Sequence, residues 1–178
     1  ELVNKNYSKF KLNFPSSNRE YLTKEELTRI NSLDFSHNKP LDAVRDIFMF
    51  SCYTGLRFCD AMELSLEDIM MINDEQHIRV DQIKTNERRE IPLLTPAIGI
   101  INKYNSAHFR LIKHKILPSY SNQRVNIYLK VIAAQAGINK NLTHHIARHT
   151  CATTILLDNN VPIEVVSHWL GHTNIKTT

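Results

Sequence analysis

The sequence has no apolar run approaching the roughly 18 residues of a membrane span, and its first stretch, ELVNKNYSKF, has no signal-peptide core. A membrane partner is therefore not expected. There is no initiator Met, so the chain is expected to begin inside a longer protein. Cysteines are few: Cys52, Cys59 and Cys151 make an odd set without a CxxC pair, which excludes a disulfide framework. They read as reduced thiols, and a cytoplasmic location is expected. No glycine-rich phosphate loop and no DxD-like carboxylate cluster is present, which argues against nucleotide binding and Mg²⁺-dependent transfer. Internal repeats and low-complexity tracts are also missing.

What is present suits one domain with a real core. The chain has 178 residues, 42% of them apolar, an ordinary share for a globular protein. A formal charge of +4 and a pI near 9.0 permit an anionic partner without demanding one.

Residues 1 to about 20 mix Asn, Ser, Lys and Pro with little periodicity and read as a linker or arm. Thr23 with Glu26 forms a capping box, so a helix starts there. Leu41, Val44, Phe48 and Cys52 fall at helical spacing, and Thr54-Gly55 ends that segment. SLEDI offers a short cap and turn. HIRVDQ and REIPLL alternate as strands around IKTNER, which predicts a hairpin. Helical character resumes in TPAIGIINKY and in SNQRVNIYLKVIAAQAG, with Val125, Leu129, Ile132 and Ala136 as the inward stripe. Thr143 is placed to cap HHIARHTCATTILLD. Pro162 opens PIEVVSHWL and Gly171 closes it. The expected fold class is mostly α with a small antiparallel β-sheet.

Three clusters carry chemistry. TGLRFCD sets Arg57 and Asp60 on a sharp turn, Lys84 lies in the hairpin turn, and HHIARHT is followed some twenty residues later by LGH. On a helix, His145 and Arg148 share a face. Arg57 and Arg148 together can present two planar guanidinium forks to one phosphate. His145, His172 and a lysine can supply proton transfer and hydrogen bonds. The chemistry that fits is displacement at a phosphodiester, with arginine and lysine doing what metal ions do elsewhere.

Each residue also has a plainer reading. Arg57 can cap the preceding helix, Lys84 can be a solvated turn residue with Arg88 and Arg89 competing for its place, and Asp60 can pair with a nearby arginine. Trp169 reads as core packing. His144 and His149 are expected to face away from the active pair, His149 as a structural histidine. A sharper rival is zinc, because His145/His149 and His168/His172 are both i, i+4 pairs. Against it, no HExxH motif is present and the second pair straddles the glycine where its helix ends.

Arg57 in TGLRFCD, Lys84 in the hairpin, His145-x-x-Arg148 in HHIARHT and His172 in LGH resemble, in order, the pattern of the tyrosine recombinase (phage integrase) family. The resemblance covers about residues 20 to 178, and the KTNERREIPL hairpin is more like integrases of Bacteroides-type mobile elements. It implies a catalytic domain that cuts and rejoins double-stranded DNA through a 3′-phosphotyrosyl link, with no cofactor. Arg57 and Arg148 would hold the non-bridging oxygens, Lys84 would protonate the leaving 5′-oxygen, and His145 would accept the tyrosine proton or bind the phosphate. His172 would add a phosphate hydrogen bond, and Asp60 would orient these groups. The family's spacing puts the nucleophilic tyrosine roughly three residues beyond Thr178. It also implies a missing N-terminal DNA-binding domain before residue 1, a tetramer on DNA, and host DNA-bending proteins as accessory partners. Two other readings stay open: a non-catalytic DNA-binding module on the same fold, and a His-ligated metal-dependent hydrolase.

Overall fold

The structure, a computed structural model, describes residues 19–81, 88–105, 115–172 and 174–178. Helix α1 (Lys24–Ser32) starts as its sequence dictates: the Thr23 hydroxyl accepts the Glu26 N–H at 3.3 Å, and Glu26 accepts the Thr23 N–H at 2.8 Å. Helix α2 (Lys39–Thr54) has Pro40 in its first turn, where a missing N–H is harmless, and Asn38 as its cap. It ends at Gly55, whose φ of 70° is a conformation that a side chain would strain. Helix α3 (Phe58–Glu63) follows at once.

Next comes an antiparallel sheet in the order β1 (Ile69–Ile72), β2 (Glu75–Asp81), β3 (Arg88–Pro92). The expected hairpin is β2 with β3, paired from His77↔Pro92 to Asp81↔Arg88. Strand β1 is an addition to the sequence reading. Its run IMMI does not alternate, so period gave no strand signal. The overlooked cue is Asn73-Asp74, both at positive φ (49° and 64°), the two-residue turn that suits a tight hairpin.

Helices α4 (Thr95–Tyr104), α5 (Asn122–Gln135), α6 (His144–Thr150) and α7 (Ile163–Leu170) complete the described elements of more than one short turn. The chain beyond α6 does not unwind; it widens into a π-helical stretch, Cys151–Leu156, and tightens over Leu157–Asn159. The apolar stripe expected on α5 is buried as read.

Helix α2 organises the interior because it is apolar on several faces. Val44, Phe48 and Cys52 join α1, α5 and α6 in one core cluster. Ile47 and Phe50 join Ile78, Val80 and Ile91 of the sheet and Ala97 and Ile101 of α4 in another. A third cluster, Cys151, Leu156, Val166 and Leu170, welds α7 to the π-helical stretch. These clusters fix the ends of α2, α6 and α7 against one another. That junction is where the cleft opens. Among the described residues, no helix is long and apolar enough to cross a membrane.

Candidate active site

The turn after α2 is pressed into place by its surroundings. A Cβ on Gly55 would lie 2.7 Å from Leu170 Cδ2 and 3.2 Å from Cys151 Sγ, so only glycine lets the three segments meet. Arg148 crosses this junction. Its Nη1 donates to the Gly55 carbonyl at 2.8 Å and its Nη2 to the Leu170 carbonyl at 2.5 Å. The side chain is buried, with 7% of the residue exposed. Burial first, then the positive charges of Arg57 and Arg89, push its guanidinium down to about 10.

Arg57 stands half-buried on the same cleft, at the N-terminal edge of α3. Among the described residues, neither Arg57 nor Arg148 forms an ion pair with a carboxylate. Their fixed charges repel each other, and among the described residues no hydrogen bond holds the Arg57 side chain. Two cations brought together, with no carboxylate paired to either among the described residues, form a seat for an anion.

His145, His149 and His172 line the cleft with them. His145 is exposed, and its ring meets that of His149 edge-on, centroids 4.7 Å apart at 90°. The expectation that His149 faces away is corrected here: four residues on, it sits one turn above His145. Burial, followed by the charge of His145, Arg19 and Arg148, pulls His149 down to about 4. His172 follows Gly171, whose φ of 64° turns the chain into the cleft. Its Nδ1 lies 2.9 Å from the Thr178 hydroxyl. Burial and then the arginines, led by Arg148 and Arg57, lower it to about 4. A bound anion would reverse the arginines' share of that shift. His144 also borders the cleft, but it is buried, with its Nε2 2.9 Å from the Ser51 hydroxyl.

Asp60 is buried in the first turn of α3, where one carboxylate oxygen accepts the Cys59 thiol at 3.5 Å. The other oxygen has no hydrogen-bond partner among the described residues. The carboxylate opposes the lowering of the Arg148 guanidinium, consistent with a supporting place behind the arginines. Lys84 lies outside the described residues. Its rival Arg89 is placed: two residues before Ile91, it points to the buried side of β3 and donates to the Trp169 carbonyl at 2.8 Å. A Cβ on Gly171 would come within 2.5 Å of that guanidinium. Trp169 packs against the core as expected, and its indole N–H also donates to the Thr54 carbonyl at 3.0 Å.

The cleft has a volume of about 1220 Å³ and also takes in Arg19, Tyr21, Asn122 and Asn126, which sequence reasoning did not assign to the site. Their signal is purely tertiary, since they come from the start of the described chain and from α5. The zinc rival loses its geometry. His168 is exposed and outside the cleft, and among the described residues no three His, Cys, Asp or Glu side chains gather to hold a metal. What the arrangement can do is bind a tetrahedral oxyanion between two guanidinium groups, with imidazoles beside it.

Known proteins share this organisation. The chain matches the phage integrase family over residues 20–178. It is 32% identical to the tyrosine recombinase XerD of Lacticaseibacillus casei over 156 residues, covering 79% of this chain and 50% of that protein. A tyrosine recombinase of Thermosipho africanus (strain TCF52B) is 30% identical over 165 residues, 89% of this chain and 55% of its own length. This chain thus spans about half the length of the curated relatives it matches. In fold it is similar to the XerH site-specific recombinase, solved bound to difH substrate in a pre-cleavage complex. That match has a TM-score of 0.71 and 20% identity over 88% of this chain and 48% of that one. With its motifs in family order, its cleft built from them and its matched length nearly complete, the chain belongs to the phage integrase family.

Proposed function

We propose that residues from about 20 onward form the catalytic domain of a site-specific DNA recombinase, and that the cleft binds one scissile phosphate of duplex DNA. The observation that carries this reading is the pair Arg57 and Arg148. Arg148 is anchored by carbonyl oxygens, Arg57 is drawn to the same cleft, and neither is neutralised by a carboxylate among the described residues. A purely structural arginine in a folded interior is normally paired.

In the proposed reaction a tyrosine hydroxyl attacks phosphorus, forming a 3′-phosphotyrosyl bond as the bond to the 5′-oxygen breaks. Charge accumulates on the non-bridging oxygens, where Arg57 and Arg148 stabilise it. His145 takes the tyrosine proton or hydrogen-bonds the phosphate, and His172 donates a further hydrogen bond. Lys84 gives a proton to the departing 5′-oxygen. Asp60 orients the arginines. The phosphodiester energy is kept in the covalent link, so a second DNA end can reverse the step without ATP or metal. Residues 1 to about 20 act as a linker to a further DNA-binding domain, and four copies assemble on DNA, with host DNA-bending proteins as accessory partners. These parts rest on the family membership alone.

The nucleophile is proposed to lie beyond Thr178. Tyr53, Tyr104, Tyr120 and Tyr128 pack against the core and do not line the cleft, Tyr21 lines it from before α1 rather than after the LGH turn, and Tyr7 lies outside the described residues. The test is covalent trapping on nicked target DNA. The 178-residue chain should give no adduct on a denaturing gel, and a chain carrying about ten more natural residues should give one that a Tyr→Phe change erases. DNA binding without any adduct in the longer chain would favour the non-catalytic module instead.

A further inference from the structure

The first turn of α6 is capped by a residue that does not belong to it. Thr143 occupies the capping position, but its side chain makes no capping bond. Instead the Asn126 side-chain oxygen, on α5, accepts the His144 N–H at 2.8 Å. The Asn126 amide N–H₂ donates to the Asn122 side-chain oxygen at 3.3 Å, one turn back on α5, which fixes which end of the amide faces α6.

His144 fastens the same turn on its other side. The residue is 3% exposed, and its ring contacts the Ser51 hydroxyl of α2 and meets Phe58 edge-on with centroids 5.1 Å apart. Phe58 is the neighbour of Arg57. Burial holds this imidazole down to about 4, so it stays neutral and keeps the contact through ordinary working pH. The first turn of α6 is therefore tied to α5, to α2 and to the arginine turn.

The consequence falls on His145 more than on Arg148. Arg148 has its own anchors at the Gly55 and Leu170 carbonyls. His145 is exposed and makes no side-chain hydrogen bond among the described residues; its ring meets that of His149 edge-on. Its position is set by the backbone beneath it. We infer that Asn126 and His144 are positioning residues that hold the first turn of α6, and with it His145, in register with the arginine pair. Neither need touch the reacting atoms. The inference rests on the reading of the cleft as a DNA-cleaving site.

The test separates rate from binding in the chain that carries the nucleophile, using nicked duplex target DNA. With Asn126→Ala, adduct formation at saturating DNA should fall about 10- to 100-fold, the scale of a small misplacement of a catalytic group. The half-saturating DNA concentration should stay within about 3-fold, since phosphate contacts govern binding. Asn126→Asp keeps an oxygen for the His144 N–H, as asparagine and aspartate cap equally well. It should hold the saturated rate near the parental value while weakening binding, because it adds negative charge to a cationic cleft. His144→Gln, which can still reach the Ser51 hydroxyl, should outpace His144→Ala. Amide hydrogen exchange gives a readout independent of activity: the His144 N–H should exchange about 5-fold faster in Asn126→Ala, the loss expected of one cap. Unchanged exchange and an unchanged saturated rate would overturn the inference. Equal loss of binding in the Ala and Asp variants would also overturn it, by making Asn126 a direct DNA contact. If the parental chain forms no adduct on target DNA, the functional reading fails, and the exchange measurement alone decides the cap.

Discussion

Arg45 and Arg148 are both withdrawn from solvent, and their surroundings are opposites. Arg45 on α2 meets Asp42 at 2.5 Å and Asp46 at 3.1 Å, and its Nη1 donates to the Leu33 carbonyl at 2.6 Å. Lys103 closes the same network on Asp42 and Asp46 at 2.6 and 2.5 Å, and the Tyr104 hydroxyl donates to Asp46 at 2.8 Å. Every charge there has a partner of opposite sign. Beside the other end of the same helix, Arg148 donates to two carbonyl oxygens. The charges acting on it are led by Arg57 and Arg89, with Asp60 opposing them and no carboxylate paired to it among the described residues. A self-neutralised network contributes to the fold and offers nothing to a ligand. The cleft carries an unspent positive potential, which is costly to the folded state and available to an oxyanion.

The comparison predicts that damage to the two regions will separate activity from stability. Arg57→Ala or Arg148→Ala should lower covalent joining by about 10²- to 10³-fold or more, the loss typical of a transition-state charge donor. Duplex binding should change little. Arg45→Ala should leave the joining rate per folded molecule unaltered, so cleavage kinetics of the three variants side by side give the sharpest contrast. Asp46→Ala attacks the neutralised network from the acidic side. Asp46 is 5% exposed and holds three partners, so its loss should destabilise the fold by about 3–5 kcal/mol in denaturant unfolding. Joining measured well below the melting point should survive.

Acid should weaken the cleft side through its histidines. His144, His149 and His172 are each held at about 4 in the folded chain, below their ordinary value of 6.5. Unfolded histidines take up protons as pH falls through 6.5, while the folded ones resist until about 4. Stability is therefore full above pH 6.5 and declines between 6.5 and 4, by about 2–3 kcal/mol for the most buried of them, His144. Replacing His144 by Gln should flatten much of that slope in melting curves taken across this range. The smallest effect is expected on α4, beside the neutralised network. A Cβ on Gly99 would meet nothing within 4 Å, so Gly99→Ala should stabilise by about 0.5–1 kcal/mol and leave joining unchanged.

The same contrast explains what the sequence made legible. The helices around Arg45 announce themselves locally: the Thr23–Glu26 box, the spacing from Leu41 to Cys52 and the left-handed Gly55 are short-range signals, and the structure follows them. The candidate residues Arg57, His145, Arg148 and His172 stand in family order in the sequence, and the cleft gathers all four. What escaped was tertiary. Thr143 looked like the cap of α6, yet the oxygen that serves comes from Asn126, eighteen residues away. Arg89 opens the expected strand REIPLL, but its contact with the Trp169 carbonyl across the fold has no local signal. The π-helical widening after α6 packs against α7, and no residue type in CATTIL announces it. His149 was a misreading of a signal that was present, since i, i+4 spacing already placed it over His145.

Arg57 and Arg148 are proposed to answer the negative charge of one phosphate. That charge is absent from target DNA whose cleavable phosphate is replaced by an uncharged methylphosphonate, and adduct formation on such DNA probes the pair alone. With that charge removed, Arg57→Ala and Arg148→Ala, in the chain carrying the nucleophile, should recover much of the joining they lose on ordinary phosphate. If both variants remain as impaired on the neutral linkage as on the charged one, the arginines are doing something else, and the cleft has been misassigned.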